Sequence, residues 1–448
     1  MRPKSQSLRG RERHQFRSDA ARALSAAVLL LASASGVAAQ EVLPIDSTIA
    51  EQLRGAILRS NPTLQAARAS VEAAQARLTG AGMAPAAVLT GEIEDVARGT
   101  DLAGAGVRLL VEREFLTGGR RSAARALASA AVRVEQAALY AAQRRLVARG
   151  YAAVARVAVA SATAGRLAAE DSLLLAAEAS LRDRFAVGDA LYVDVLRLRT
   201  ERLRVQNERA EALTTALLAR SILAGLISQD DLPQIDSLIA ERPDALLAGA
   251  IPPAPDLDSL LKAASALRLA EATVERAQAE RTLVLAEQRP RFSAALGAQR
   301  IGVEVGGASF GPVLETSITL PFTARAANRA AAAAAEREVA AAVARHEAVI
   351  AAVRADLASA LVRYEAARER LTVYDSVLLL GIRDERESAL AAYRAGQISL
   401  IELLDFERAL ARAEIERLSA RADAAEALAD LLAAAARSAD DDVNPNSQ

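Results

Sequence analysis

Glu402 and Asp405 have the spacing in this chain with the most chemistry in it. Three residues apart on a helix, they share one face and lie about one turn from each other. Two carboxylates so placed can attract or hold a cation at a constriction. The same acids also suit the solvated first turn of an ordinary helix, where the helix dipole favours negative charge. The residues alone leave both readings open. No catalytic constellation accompanies them. The chain has no cysteine, which excludes disulfides, thiol nucleophiles, thiolate metal sites and an acylated cysteine anchor. Histidine occurs only at His14 and His346, and methionine only at Met1 and Met83. A soft-metal relay cannot be built from these residues. There is no P-loop, HExxH or GxSxG. The expectation is therefore no catalytic residue, no cofactor and no metal site, with His346 a structural residue on a helical seam.

The two acids belong to a stretch that occurs twice. "AYRAGQISLIELLDFE" (392–407) follows an earlier "RFAVGDALYVDVLRLR" (184–199). Each places a glycine between two helical patterns, Gly188 in the first and Gly396 in the second, where a chain can reverse. The acids differ: the second keeps Glu402 and Asp405, whereas the first has Asp194 and then Arg197.

The 448 residues carry a net charge of −1, so no basic field draws the chain to nucleic acid. Aromatics are 3%, tryptophan is absent and alanine abounds, a composition suited to closely packed, elongated helices. Met1 to Arg22 is basic, "ALSAAVLLLASASGVAA" is short and apolar, and Val37 and Ala39 precede Gln40 as a small-x-small cleavage site. Residues 1–39 therefore read as an export signal. No later run reaches 18 consecutive apolar residues, so the mature chain is expected to have no transmembrane helix.

Proline is absent between Pro85 and Pro233 and again between Pro321 and Pro445, leaving room for long helices. In the second gap Val343, Ile350, Leu357, Tyr364, Leu371 and Leu378 are seven apart, with Val339, His346, Val353, Ala360, Ala367 and Tyr374 between them. That is a coiled-coil seam. In the first gap Val132, Leu139 and Leu146 repeat the spacing, and a helix there would run on the order of 100 Å. Near the prolines the period changes to two. Leu89 and Ile93 oppose Thr90, Glu92 and Glu94. Val107, Leu109 and Val111 alternate with Arg108, Leu110 and Glu112. Phe292, Ala294, Leu296 and Ala298 share a side, and Leu314, Ile318 and Leu320 oppose Glu315, Ser317 and Thr319. These are strands with one apolar face, two per half, linked by "ARGTDLAGAG" and "GVEVGGASFG".

The halves align. Leu64, Ala67, Ala69, Val71, Glu72 and Gln75 match Leu267, Ala270, Ala272, Val274, Glu275 and Gln278, Thr117 matches Thr323, and Gly188, Asp194 and Leu196 match Gly396, Glu402 and Leu404. This is an internal duplication. The expected layout has a first repeat at 40–227, with strands 86–96 and 105–115 and long helices 122–187 and 190–227. A Pro-rich linker follows at 228–255. The second repeat covers 256–437, with strands 291–304 and 309–321 and long helices 324–394 and 398–436. A polar, disordered tail closes the chain at 438–448. The fold class is mainly α with a transmembrane β part. Four strands of this length and pattern can cross an outer membrane, but an open edge in lipid is untenable, so they must join a shared barrel. Three copies give twelve strands, with the long helices continuing as a second, soluble barrel. In such a homotrimer Glu402 and Asp405 would form two rings of three carboxylates.

"SNPTLQAARASVEAAQARLTGAGMAPAAVLTGEIED", "FLTGGRR", "VGDALYVDVL" and "YRAGQISLIELLDFERAL" resemble the TolC-type outer-membrane efflux proteins, most of all the CzcC-like heavy-metal branch, from about Thr48 to Ala436. The resemblance implies a trimeric, twelve-stranded barrel in the outer membrane of a Gram-negative cell, continued by an α-helical barrel in the periplasm. It implies the exit duct of a tripartite efflux system, with a periplasmic adaptor and an inner-membrane pump of RND type as partners, and heavy-metal cations or small organic compounds as cargo. The alternatives are a type I protein secretion duct and a periplasmic adaptor or structural coiled-coil protein. By the same resemblance Glu402 and Asp405 match the periplasmic constriction, and Asp194 and Tyr393 match interhelix links that hold the entrance shut. The basic partner of that latch would fall at Ile398, which cannot ionise, leaving Arg394 or Arg197 as substitutes. Val187, Gly188 and Asp189 with Gly396, Gln397 and Ser399 would form the turns that meet the adaptor.

Overall fold

The structure is a computed structural model that describes residues 47–94, 106–241, 252–301, 309–320 and 324–435. The expected leader at 1–39, the tail at 438–448, Thr323 and most of both strand-linking loops lie outside the described residues. Helices α1 (Ser47–Ser60) and α2 (Pro62–Gly80) lead into strands β1 (Val88–Glu94) and β2 (Gly106–Phe115). The 67-residue helix α3 (Arg120–Ala186) then turns back into α4 (Tyr192–Leu226). Helices α5 (Leu232–Glu241), α6 (Leu257–Lys262) and α7 (Ser265–Glu287) precede β3 (Arg291–Ile301) and β4 (Ser309–Thr319). Helix α8 (Arg325–Val373), a π-turn (Tyr374–Leu378), α9 (Leu379–Arg394) and α10 (Leu400–Ala435) complete the second half.

Local chemistry sets several of these boundaries. Asn61 caps α2, its side chain accepting from the Thr63 amide at 3.0 Å with Pro62 at the first helical position. Its amide group donates to the Leu226 carbonyl at 3.0 Å, so one buried residue also ties down the end of α4. Asp256 caps α6 through the Ser259 amide at 3.1 Å.

The four strands form one antiparallel sheet in the order β1-β2-β3-β4, which joins the two halves through β2 and β3. The register puts Leu89, Val111, Leu296 and Leu314 side by side on one face, all exposed. The other face holds Arg108, whose guanidinium reaches Glu315 at 2.9 Å and Glu92 at 3.6 Å, and Ser293, whose hydroxyl donates to Glu112 at 2.6 Å. Gly297 is required where β3 crosses β2: a Cβ there would lie 1.9 Å from the Leu109 carbonyl oxygen.

Among the long helices α3 is central, packing against α4, α7 and α10, while α10 also packs against α8 and α9. Three buried clusters hold them. The first gathers Leu53, Ile57, Val154, Leu223, Ile235 and Ile239 around α3. Residues 228–255 are therefore not simply a linker: α5 lies within them and buries Leu232, Ile235 and Ile239 on one side. The second cluster packs Leu260, Leu357, Tyr364, Leu428 and Leu431, and the third packs Leu174, Leu181, Leu198 and Leu404. By mean hydropathy one described helix, α3, is long and apolar enough to cross a membrane, although no run in it reaches 18 consecutive apolar residues. Half of its most apolar window is buried inside the subunit, as in a core helix.

The second-half helix spanning 324–394 is interrupted. Val353, Leu357, Ala360, Tyr364, Ala367 and Leu371 form a buried seam, but Leu378 is 38% exposed and its neighbour Leu379 is 4% exposed. The π-turn between them inserts an extra residue and moves the seam by one. At the other end Val343 is also exposed while Ala342 is buried, because a straight 3.6-residue helix drifts off a seven-residue repeat.

Candidate functional site

Both hairpin tips end in the same turn. In the first, the Gly188 amide donates to Phe185 O at 3.0 Å and the Asp189 amide to Arg184 O at 2.8 Å. In the second, Gly396 donates to Tyr393 O at 2.9 Å and Gln397 to Ala392 O at 2.9 Å. These are Schellman caps, which need a left-handed residue; Gly188 and Gly396 supply φ of 80° and 70°. The two tips differ in surface. Phe185 and Tyr192 stack at 5.3 Å, and Val187, Leu191 and Val193 stand exposed around them. The second tip exposes Ala395, Gly396, Gln397 and Ser399. Asp189 is held by Arg184 at 2.9 Å.

Glu402 and Asp405 are both exposed on the first turn and a half of α10, and each has a partner. The Ser399 amide donates to the Glu402 carboxylate at 2.6 Å, and the Glu402 amide donates to the Ser399 hydroxyl at 3.2 Å. This is a reciprocal capping box. The backbone amide of Ser399, and then its hydroxyl, hold the Glu402 carboxyl below the ordinary carboxylate range. Asp405 accepts from Arg408 at 3.1 Å. The S-x-x-E spacing of Ser399 and Glu402 is a sequence signal for this cap that the paired-acid reading passes over. The first tip has Leu191 at the equivalent position, and Asp194 makes only a backbone bond there, from its amide to Leu191 O at 3.1 Å. Asp194 and Tyr393 are half-buried, and neither side chain forms a hydrogen bond or ion pair with the described residues of its own subunit.

Above the tips the charged residues are organised more tightly. Glu414 on α10 accepts from Arg166 of α3 at 3.0 Å and faces Arg383 of α9 at 3.6 Å, so one carboxylate touches both hairpins. Beside it, a groove of about 180 Å³ between α3 and α10 is lined by Arg166, Glu170, Leu174, Leu404 and Arg408, and burial raises the Glu170 carboxyl. Arg386 pairs with Glu407 at 2.7 Å. Glu178, almost wholly buried, is held by Arg182 and by Arg202 at 2.7 Å. At the π-turn, Asp375 is gripped by Arg417 and Arg421, and the Tyr374 hydroxyl donates to Glu416 at 3.0 Å. That bond raises the Tyr374 hydroxyl above its usual titration. The "GGRR" stretch holds the fold together. Its Arg120 guanidinium donates to the carbonyls of Ala286 at 3.2 Å, Glu287 at 3.0 Å and Arg289, capping the end of α7 beside β3. His346 lies half-buried on the α8 seam with Nε2 unbonded.

Residues 257–437 match a protein family described as outer membrane efflux protein. No curated protein matches the sequence. Among solved structures, a membrane protein from Pseudomonas aeruginosa is 21% identical, with 87% of this chain and 93% of that chain covered at a TM-score of 0.71. The outer-membrane channel OprN is 18% identical, covering 91% and 95% at 0.70. The outer membrane protein VceC from Vibrio cholerae is 18% identical, covering 86% and 96% at 0.68. At these identities the structural likeness is one of fold.

Proposed function

We propose that the chain is a member of the outer membrane efflux protein family, whose model matches residues 257–437, and that it is one third of a passive exit duct. The observation that carries this reading is a pair of unfinished edges. The sheet ends at β1 and β4, each with one side unpaired. Among the described residues the long helix α4 packs principally against α3, and its outer side is left uncovered. Along α4 an exposed heptad of Leu196, Leu203 and Leu217 faces away from the subunit's own core. An unpaired strand edge in lipid leaves backbone groups without partners, at a cost of several kcal/mol each. Further copies on both edges remove that cost, and three copies supply twelve strands. The exposed face of Leu89, Leu109, Leu296 and Leu314 then meets lipid, and the face of Arg108, Glu112 and Glu315 lines water.

In this duct the pump selects cargo and the chain conducts it. The proposed partners are a periplasmic adaptor and an inner-membrane pump of RND type, meeting the tip turns at Val187, Gly188, Asp189, Gly396, Gln397 and Ser399. The proposed cargo is heavy-metal cations or small organic compounds. Glu402 and Asp405 form two acidic rings at the narrow entrance. Their bonds to Ser399 and Arg408 do not conflict with this role, because an ionised carboxylate keeps further lone pairs for a passing cation. Asp194 and Tyr393, whose side chains have no partner among the described residues, are the proposed interhelix links that hold the entrance shut. The test is planar-bilayer recording of the purified chain, with native mass spectrometry for its oligomeric state. The expected result is a trimer that conducts, with Glu402→Gln and Asp405→Asn together altering conductance and lowering cation preference. A soluble monomer overturns the duct, and unaltered current and selectivity in the double variant overturn the acidic constriction.

A further inference from the structure

Arginine is not distributed evenly over the structure. Along the long helices, exposed guanidiniums reach carboxylates: Arg133 meets Glu275 at 2.8 Å, Arg281 meets Glu336 at 3.0 Å and Arg370 meets Asp423 at 3.0 Å. Where the helices meet the sheet, the pattern changes. Residues 113–125, 287–291 and 324–329 carry eight arginines against Glu114 and Glu287. Arg120 is buried among the carbonyls that it caps, and Arg291 lies on the same face of the sheet as Glu112. The other six, Arg113, Arg121, Arg125, Arg289, Arg325 and Arg329, are exposed, and none pairs with a carboxylate among the described residues. Bonds across the junction gather them. Arg120 of α3 donates to the Ala286, Glu287 and Arg289 carbonyls. The Arg289 guanidinium donates to the Gly118 carbonyl at 2.7 Å, and the Gln288 side chain donates to the Asn328 carbonyl at 2.7 Å. The starts of α3 and α8 and the end of α7 therefore meet at the base of the sheet.

We propose that these six arginines form a basic collar that binds the phosphate headgroups of anionic phospholipids, in the membrane leaflet on the side of the helices. The inference rests on the duct reading, in which the sheet spans the membrane, and adds a lipid-binding site at its base. Three observations carry it. First, the collar borders the face that meets lipid. Arg113 stands on that face itself, opposite Ala294 in the register, and the Phe115 and Phe292 rings lie 5.7 Å apart two residues further on. Aromatic rings at the end of an apolar strand face mark the headgroup level of a barrel. There a guanidinium reaches phosphate while its stem stays in the apolar layer. Second, the charge works against the local structure. Neither α3 nor α8 has an acid in its first turn, and their dipoles already place partial positive charge at these ends. Arg121, Arg125, Arg325 and Arg329 add to it, and no described carboxylate of the subunit relieves the repulsion by pairing with them. A bound anion does. Third, the residue type suits the ligand. Guanidinium forks match phosphate oxygens, and a cluster of basic residues beside a membrane span is the pattern of anionic-lipid binding. At the far end of the sheet Arg108 is, by contrast, engaged by Glu92 at 3.6 Å and Glu315 at 2.9 Å.

The test titrates the purified full-length chain, in a neutral detergent, with phosphatidylglycerol or phosphatidylcholine and reads retained lipid by native mass spectrometry. Reconstitution into vesicles of each lipid, followed by flotation, runs beside it. The expected result is entry into both vesicles, with phosphatidylglycerol retained roughly tenfold more than phosphatidylcholine. Arg113→Gln, Arg121→Gln and Arg125→Gln together should abolish that preference with helical circular dichroism and oligomeric state unchanged. Inorganic phosphate should not displace the lipid, since it has no acyl chains for the apolar face; displacement makes the site one for free phosphate and overturns the lipid assignment. A triple variant that dissociates into monomers yet keeps the lipid preference also overturns it, because the arginines then lie between subunits. If the triple variant does not fold, the unaltered chain in high salt supplies the reading. Screening should bring the two lipids to equal retention, and a preference that survives salt overturns the proposal. A chain that enters neither vesicle overturns the duct reading itself. Entry into both with equal retention of the two lipids at low salt leaves the duct standing and overturns only the collar.

Discussion

Substitution of Tyr364 separates two contributions that meet in one side chain. The residue is 0% exposed within the cluster of Leu260, Leu357, Leu428 and Leu431. Its hydroxyl donates to the Pro252 carbonyl at 2.6 Å, pinning the segment between the repeats onto α8. Tyr364→Phe keeps the ring but strands that carbonyl, a loss of roughly 1–2 kcal/mol. Tyr364→Ala also opens a cavity, and aromatic-to-alanine changes in cores cost about 3–5 kcal/mol. The hydroxyl adds a pH signature. Burial, opposed by Arg368, pushes it up to about 12 from 10.0. Between those values the unfolded chain loses the proton and the folded chain keeps it, so stability falls as pH rises through the window. Two units at 1.36 kcal/mol each set an upper bound of about 2.7 kcal/mol. Denaturant unfolding of the detergent-solubilised chain, followed by circular dichroism, reads all three quantities. The order should be wild type, Phe, Ala, and only the wild type should show the Tyr364 contribution to alkaline loss. A Phe variant as unstable as Ala, or one with the same alkaline profile as wild type, would refute the assignment of the hydroxyl.

Two further outcomes follow from single contacts. Gly297→Ala places a methyl group against the Leu109 carbonyl, which backbone pairing prevents from yielding. The β2-β3 junction should open, and denaturant unfolding of the detergent-solubilised chain should show a lower midpoint than that of the unaltered chain. Because Ser399 holds the Glu402 carboxyl below its ordinary 4.5, the cap is complete above that pH and lost as pH falls below it. A spin label at Gln397→Cys, in a chain with no other cysteine, should become more mobile on acidification, and Ser399→Ala should be mobile already near neutrality.

Much of the architecture is legible in local pattern. Period-two alternation in "VRLLVERE" and "VLETSITL" marks strands because a strand's side chains alternate faces. The seven-residue spacing from Leu357 to Leu371 marks a packed helix, and Gly188 and Gly396 mark reversals because few other residues take positive φ readily. The proline cluster is less informative. Pro233 sits in the first turn of α5, where proline is tolerated, and the helix's own apolar spacing, Leu232, Ile235 and Ile239, signals a packed helix. The candidate site is legible in residue type but not in partnership. Asp405 reads as acidic from the sequence, whereas its bond to Arg408 depends on rotamers.

By itself, then, the sequence determined the kinds of elements, their order, their doubling and the positions of both tips. Those follow from backbone conformation and hydrophobic period, which act over a few residues. Only the tertiary structure decided which side chains meet from distant parts of the chain: Arg120 on the carbonyls ending α7, Tyr364 on Pro252, and Arg166 with Arg383 on Glu414. It also decided that the second seam slips from Leu378 to Leu379. A heptad count treats every turn as equal, whereas the extra residue is absorbed where packing against α10 makes one wide turn less costly than turning the rest of the seam toward solvent.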